Sequence, residues 1–506
     1  MNEQRYTRSF ANNAIFVGIL ILGIILLSGI YILRFYNYDN KNLFSDDSYY
    51  NLRISKLILE NKGVPLFDDL SYGGRPFAYS LGWPILIVWI SKITNLTLEE
   101  ISILLPIIFG FLTSLLIGLI ISKLTKNKNI RNLSLLILLL SPPFLYLFSA
   151  SNAFAAVIFL TSLGFYLLLF DKKILSILAM LFMSAITFFS FFSILFVIFL
   201  FFIYAVVRDR KKIKWFLLFL VIVIIFEILN HYNLLSKYGL PEQIRFKIIQ
   251  STINFSYQAL FSDFGGKFGL SLFSVFLLFL GIYVLWTDKK YKYFYVYLSV
   301  LLLLLISIYF NFVIFYLNII IAIIGSIGLI KLLNRKWESQ LIKNLSIGIV
   351  IIGIIFSGIS FINQLALSEP TKKQIEALSY LKAKSAHGAV VFSYYDRGFW
   401  FTHINKKNVM DPNFFYAPLV NERWQDSLNL LYSKKIEDTI AMLNKYDIEY
   451  IWIDKAIRER FYGDRETNLL YQLRNDPRFK LVFKNFNEEH QVEVEIWEYE
   501  KSAFLS

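Results

Sequence analysis

Two adjacent carboxylates, Asp46 and Asp47, follow an apolar run in FSDDSYYNLR and are the residues best suited to chemistry. An acidic pair at a membrane surface is costly unless a cation or a hydrogen-bond donor meets it, which points to a metal or phosphate-handling site. The other reading of Asp47 is a cap for a helix predicted over Tyr49–Glu60. Asp68 and Asp69 repeat the pattern 22 residues later, where a solvated loop explains them about as well as a supporting role. Glu227 and His231 are four residues apart at the end of an apolar block, so on a helix they share a face. An acid inside an apolar span is a functional candidate. The pair could supply metal ligands, or it could snorkel to lipid headgroups. Arg245 follows in a polar segment and could bind phosphate or a headgroup. Tyr394, Tyr395 and Asp396 end a predicted strand, GAVVFSYYD, where two phenols and a carboxylate could hydrogen-bond a hydroxyl of an acceptor or pack as core.

The elements that must position these residues are mostly apolar. The chain of 506 residues is 56% hydrophobic, 18% aromatic and only 17% charged, far more apolar than a soluble domain. Its apolar blocks run to about 16–22 residues, the length of membrane helices. The first block, Ala14–Leu33, is too long for the core of a signal peptide and has no small-residue cleavage site after it, so it is predicted to remain as a span. Spans are predicted at about 14–33, 101–122, 133–149, 152–170, 174–189, 191–207, 215–230, 269–286, 293–309, 312–330 and 344–362, eleven in all. A further apolar stretch, Phe77–Ile93, is interrupted by Gly82 and Pro84 and is predicted to lie at the interface.

The net charge of +14 does not signal nucleic acid. From Asn363 onward there are 20 Lys and Arg against 21 Asp and Glu, so the excess lies in the first 362 residues. There it concentrates in alternate short loops, such as Lys123–Arg131 and Arg208–Lys214, while the turns near Ser151, Ser190 and Asn311 carry none. That asymmetry marks the cytoplasmic side of a membrane protein. With Arg5 and Arg8 before the first span, the N-terminus is predicted inside and loops 34–100 and 231–267 outside. The absence of cysteine excludes disulfides and thiolate metal sites.

Residues 1–362 are therefore expected to form a polytopic helical membrane domain and residues 363–506 an extracytoplasmic soluble α/β domain. In the latter, a helix TKKQIEALSYLKAKS, the strand GAVVFSYYD, an irregular stretch through Pro412 and Pro418, a helix Lys434–Lys445, the strand IEYIWID, a helix near Asn468–Arg474 and strands Lys480–Phe486 and Val492–Tyr499 are predicted.

Three regions resemble the catalytic subunit of the archaeal and bacterial single-subunit oligosaccharyltransferases, members of the C-type (GT-C) superfamily of membrane glycosyltransferases. DDSYYNLR with PLFDDLSYGG is similar to that family's first outside loop. VVFSYYDRGFWFTHINKKNVMDPN is similar to its WWDYG region, with Tyr394, Tyr395, Asp396 and Gly398 at the WWD and G positions. AMLNKYDIEYIWIDK and VEIWEYE resemble what lies beyond. The resemblance implies Asp47 as ligand of a divalent cation, Mn²⁺ or Mg²⁺, with Asp46 beside it. It also implies Tyr394, Tyr395 and Asp396 as acceptor-binding residues.

The departures are specific. The turn FSASNAF lacks the family's second acidic motif, so Glu227 and His231 are candidates to replace that ligand. Phe255 stands where the family has a glutamate, Phe312 where it has an arginine, and Arg397 replaces a tyrosine. About two spans are missing from the middle. The resemblance implies transfer of a glycan from a polyprenyl phosphate or pyrophosphate carrier to an acceptor, in the parent family a protein asparagine. The expected partners are a lipid-linked glycan, a protein, peptide or lipid acceptor, and membrane lipids. Two alternatives stay open, a GT-C enzyme using a polyprenyl-phosphate monosaccharide and a non-catalytic relative that binds lipid-linked glycan or peptide.

Overall fold

The computed structural model describes residues 2–501 apart from 41, 62, 64–65, 78–79, 126, 171, 208–209, 240–260, 265, 267–268, 290–293, 463–467 and 488. Helix α1 (Asn2–Tyr36) leads into α2 (Asp46–Asn61), a short antiparallel pair β1 (Phe67–Asp68) and β2 (Arg75–Pro76), and α3 (Gly82–Thr94). The remaining apolar helices are α4 (Leu98–Thr125), α5 (Lys128–Leu139), α6 (Pro142–Leu147), α7 (Ala153–Leu168), α8 (Lys173–Ser184), α9 (Phe191–Val207) and α10 (Ile213–Tyr238). They continue through α11 (Leu272–Lys289), α12 (Phe294–Tyr309), α13 (Val313–Asn334) and α14 (Gln340–Ala366).

Every block predicted to span is largely helical. Among the described residues five are long and apolar enough to cross a membrane, Asn12–Tyr36, Leu98–Thr125, Ile213–Tyr232, Val313–Asn334 and Gln340–Ala366, and the others are shorter apolar helices. The stretch predicted as one span at 133–149 is two helices, because Pro142 and Pro143 lack the N–H that would continue α5 and instead open α6. The interfacial segment becomes helical only from Gly82. Helix α13 packs between α5 and α11, and its contact with α11 is backbone-close: a Cβ on Gly281 would lie 2.1 Å from the Ile324 carbonyl oxygen. Buried polar pairs tie the bundle where apolar contact cannot, Ser134 to Ser326 at 2.8 Å and Asn318 to Ser141 at 2.7 Å.

The C-terminal α/β part opens with α15 (Lys372–Lys384), started by a reciprocal capping box between Thr371 and Gln374. Its five strands are β3 (Val390–Phe392), β4 (Lys407–Asn408), β5 (Ile448–Asp454), β6 (Phe479–Phe486) and β7 (Val492–Tyr499), in the order β4-β3-β5-β7-β6. The first three neighbours are parallel, and β7 runs antiparallel to both β5 and β6. The stretch predicted to be irregular holds two helices, α16 (Gly398–His403) and α17 (Val420–Leu431), followed by α18 (Ile436–Lys445). Helices α19 (Lys455–Phe461) and α20 (Asn468–Asn475) lie between β5 and β6. Leu381, Leu443, Ile451, Trp452, Ile453, Val494 and Ile496 are buried together in the core of this part.

Two buried devices dock this part on the bundle. The guanidinium of Arg34, at the end of α1, donates to the carbonyls of Asn42 (2.9 Å), Ala366 (2.9 Å), Ser368 (2.7 Å) and Pro370 (2.8 Å), tying the first loop to the exit of α14. Asp411, 1% exposed, accepts both Arg75 Nη2 contacts at 3.2 Å and the hydroxyl of Ser71. Arg75 also donates to the carbonyls of Asn413 and Phe415.

Candidate functional site

Helix α2 begins at Asp46, so both carboxylates lie in its first turn, favourably placed against the helix dipole. This corrects the reading of Asp47 as a cap ahead of the helix. Asp46 is half-buried and Asp47 exposed. The inward face of the helix is polar and tied down: Ser48 Oγ accepts from the Ser151 N–H at 3.0 Å, and Asn51 donates to the Ser151 carbonyl at 2.9 Å. Ser45, just before the helix, contacts the Tyr146 hydroxyl at 3.1 Å, and its N–H reaches the Glu369 carbonyl at 3.3 Å. The carboxylate-free turn FSASNAF thus packs against the start of α2.

Across from that start lies the SYYDRG segment. Tyr394 follows β3 by two residues and Tyr395–Arg397 form a 3₁₀ turn, so the trio lies beyond the strand predicted to end with it. Gly398 is needed there because a Cβ would meet the Met410 carbonyl at 2.4 Å. Arg397 is buried and holds three carboxylates, Asp454 at 2.8 Å, Glu369 at 2.6 Å and Asp396 at 3.8 Å. Burial works against its charge, but these carboxylates outweigh it and keep the guanidinium firmly protonated. Burial raises the proton affinity of Asp396 and the Asp46 carboxylate raises it further, against the pull of Arg397. Asp46 and Asp396, from the first loop and the C-terminal part, therefore feel each other's charge. Asp396 Oδ1 is buried and has no hydrogen-bond partner.

The two tyrosines divide. Tyr394 is 5% exposed and packs in the core on Phe461 (5.1 Å between ring centroids) beneath the Arg460 guanidinium (4.5 Å). Tyr395 is half-buried and forms an open angle of 58° with Trp424 of α17, 5.2 Å away, with Phe414 at 6.1 Å. Trp424 and Arg460 were not anticipated. The signal for the first was present, since Val420, Trp424, Leu428 and Leu431 follow the helical repeat.

Elsewhere the expectations fare differently. Asp68 is not solvated: it forms a buried bidentate pair with Arg53 of α2 at 2.9 and 2.5 Å and accepts from Leu70 N at 3.1 Å. Asp69 is exposed. Glu227 and His231 do share a face of α10, 3.2 Å apart, with Phe191 edge-on to the imidazole. Among the described residues no three His, Asp or Glu side chains gather into a metal-binding group, so this pair does not join Asp47 in one. Arg245 and Phe255 lie outside the described residues.

No protein-family model and no curated protein matches the sequence. Solved structures do. The Archaeoglobus fulgidus oligosaccharyltransferase tethered with an acceptor peptide containing the NVT sequon superposes with a TM-score of 0.61 at 10% identity, over 95% of this chain and 74% of that one. The same enzyme in complex with Zn and sulfate gives 0.60 at 12%, over 94% and 72%. ArnT from Cupriavidus metallidurans bound to undecaprenyl phosphate gives 0.55 at 9% identity, over 95% of this chain and 98% of that one. The chain has the fold of the C-type membrane glycosyltransferases, an apolar helical bundle carrying a C-terminal α/β domain.

Proposed function

We propose that this chain is a membrane glycosyltransferase that moves a glycan from a polyprenyl phosphate or pyrophosphate carrier to an acceptor at the outer face of the membrane. Residues 1–362 form its membrane part, with the N-terminus cytoplasmic, and residues 363–506 its extracytoplasmic part. The observation that carries the reading is convergence: the start of α2, the turn at Ser151 and the stretch from Glu369 to Arg397, three distant parts of the chain, are tied together by hydrogen bonds and an ion pair where the bundle joins the α/β domain. A lipid-linked donor needs that place, with its tail among the apolar helices and its phosphate at the polar seam.

Breaking the bond between sugar and phosphate leaves negative charge on the carrier phosphate. A divalent cation supplies the counter-charge when bound. The donor set fits Mg²⁺ or Mn²⁺: it is all oxygen, and such ions are commonly held by one or two carboxylates with substrate phosphate and water completing the shell. Asp47, with Asp46 beside it, would hold the ion. Asp396 and Tyr395 orient the acceptor, and Tyr394 supports them from behind. Glu227 and His231, and Arg245 in the long loop, remain candidates for contact with the carrier headgroup.

A second reading has its own support. With no carboxylate in the Phe148–Asn152 turn, the ion site has one acidic loop, which suits a polyprenyl-phosphate monosaccharide better than a pyrophosphate. The near-complete mutual coverage with ArnT is consistent with that reading.

The test is transfer of a labelled glycan from lipid carrier to acceptor, with Mg²⁺ or Mn²⁺ and with chelator. Asp47→Asn keeps shape and removes charge, so turnover is expected to fall about 10²–10³-fold, the usual loss when stabilisation of a developing charge is removed. Thermal stability should barely move, and Asp46→Asn should be milder. Metal-dependent transfer by Asp47→Asn at the wild-type rate would remove Asp47 from the site. A wild-type protein that binds carrier but never transfers would make the chain a binder.

A further inference from the structure

The sequence holds a modification pattern that the glycosyltransferase reading does not use. Asn-x-Ser/Thr, with x not proline, is the acceptor pattern of N-glycosylation. It occurs four times, at Asn95-Leu96-Thr97, Asn132-Leu133-Ser134, Asn254-Phe255-Ser256 and Asn344-Leu345-Ser346. So short a pattern recurs by chance, and the fold separates the four. Asn132 and Ser134 are buried in α5, where the asparagine amide donates to the Asn12 carbonyl at 3.3 Å. Asn344 lies inside α14, its Oδ1 accepting from Gln340 at 3.1 Å. Asn254 lies outside the described residues. Of the three described, only Asn95 is exposed in a non-helical turn, between α3 and α4.

Its surroundings present it to water. Asn95 ends α3 in the left-handed region (φ 58°, ψ 17°), which asparagine tolerates better than most residues, and its N–H closes on the Ser91 carbonyl at 2.8 Å. Its side-chain amide makes no hydrogen bond among the described residues. Lys92, Glu99 and Glu100 around it are all exposed, charges that belong in water and not in hydrocarbon. Thr97, the hydroxyl residue of the pattern, caps α4: its Oγ1 donates to Glu100 at 2.9 Å and accepts from the Glu100 N–H at 3.2 Å. Both contacts are exposed, and helix ends fray, so an enzyme can take up the segment as extended chain. The turn is docked at the far end of α2 from Asp46: Glu99 pairs at 2.8 Å with Lys56, which lies roughly 15 Å along the helix from that carboxylate. A glycan is therefore added by another molecule, a second copy of this chain or a separate transferase.

We infer that Asn95 is an N-glycosylation site of this chain, its amide nitrogen taking a glycan from a polyprenyl-linked carrier on the outer face. The step joins Asn95 Nδ2 to the anomeric carbon, breaks the bond from that carbon to the carrier phosphate oxygen, which keeps the electron pair, and gives one amide proton to water. The inference rests on loop 34–100 being outside, as the proposed function has it.

The test is glycopeptide mass spectrometry on the full chain purified from its native host. The tryptic peptide Ile93–Lys123 should carry added sugar mass located to Asn95. Asn95→Gly, which suits the left-handed backbone, should abolish it, and Thr97→Ser, which keeps the pattern, should retain it. A wild-type peptide found only unmodified would overturn the inference, as would a modification that persists in Asn95→Gly. With the wild type occupied, cells whose only copy is Asp47→Asn tell the two sources apart. A bare Asn95 there means that the chain modifies a second copy of itself, an occupied one that a separate enzyme does so, and both uphold the site. Asn95→Cys, the single thiol in a cysteine-free chain, separates failure of the site from failure of the topology. Labelling from outside by an impermeant reagent, with Asn95 bare in the wild type, sinks the inference alone, and protection from the reagent sinks the topology with it. The glycosyltransferase reading stands or falls separately, on the carrier-dependent transfer assay.

Discussion

The first loop carries two acidic pairs of identical composition, Asp46–Asp47 and Asp68–Asp69, and the fold treats them oppositely. Asp68 is drawn inside. Burial penalises its charge, but two hydrogen bonds from Arg53, the Leu70 N–H and the Arg75 field overcome that penalty and hold its carboxyl below the usual range. Asp46 stays half-buried at the start of α2, where its charge raises the proton affinity of another carboxylate, Asp396. One helix decides both outcomes, since Arg53 lies two turns beyond Asp46 on α2 and reaches the second pair instead of the first. A carboxylate met by a guanidinium stabilises the fold. Asp46 instead acts on Asp396 as a like charge across the junction, a different electrostatic role for the same residue type.

Removing one partner of the paired region should have the largest effect on stability. Asp68→Asn strands Arg53, which is 5% exposed, without its counter-charge, and the expected loss is about 3–5 kcal/mol. Thermal unfolding in detergent would register it as a large fall in midpoint. Asp69→Asn, exposed, should change stability by no more than about 0.5 kcal/mol. If the two substitutions behaved alike, the contrast drawn between the acidic pairs would collapse. The contrast sharpens if Asp68→Asn destabilises while Asp47→Asn lowers transfer about 10²–10³-fold without destabilising.

Much of the helical fold was legible because membrane helices announce themselves: long apolar blocks, with Lys and Arg gathered between alternate ones. The strands IEYIWID and VEIWEY were legible for a related reason, since a buried strand among helices is short and rich in β-branched and aromatic residues. The α17 helix was not, because Pro412 and Pro418 ahead of it dominated the reading while its apolar positions, Val420, Trp424, Leu428 and Leu431, are diluted by charge. The site was legible as residue types and not as geometry. Nothing local in DDSYYNLR says that Arg53 will be spent on Asp68, and nothing in SYYDRG says that Arg397 must reach Glu369 and Asp454. Those choices depend on tertiary contacts that local sequence does not encode, as does Arg34 reaching the carbonyl of Pro370, 336 positions away.

Acidity offers a finer test, because α2 touches a histidine that titrates in a different window from Asp68. His403 ends α16 with its ring edge-on to Tyr49 at 5.3 Å, and its Nδ1 is buried without a hydrogen-bond partner. Burial, aided by the nearby cations of Lys56 and Arg53, pushes its pKa down to about 3, with Glu99 opposing. Above pH 6.5 the imidazole is neutral whether folded or unfolded, and it costs nothing. Below that the unfolded chain takes up a proton that the folded one refuses, so stability falls as pH falls, by about 2 kcal/mol at pH 5. Asp68 has the opposite kind of shift. Its stabilisation is fully present above its ordinary value of 3.8 and is lost only as pH drops below it. Between pH 7.5 and 5 the wild type should therefore lose stability that His403→Phe retains, the phenyl ring preserving the contact with Tyr49 while removing the titration. The comparison of thermal midpoints for the two proteins at pH 7.5 and 5.0 in one detergent decides it. Equal losses in both would mean that His403 takes up its proton in the folded state, and that the junction between α2 and the α/β domain is wetter than its packing implies.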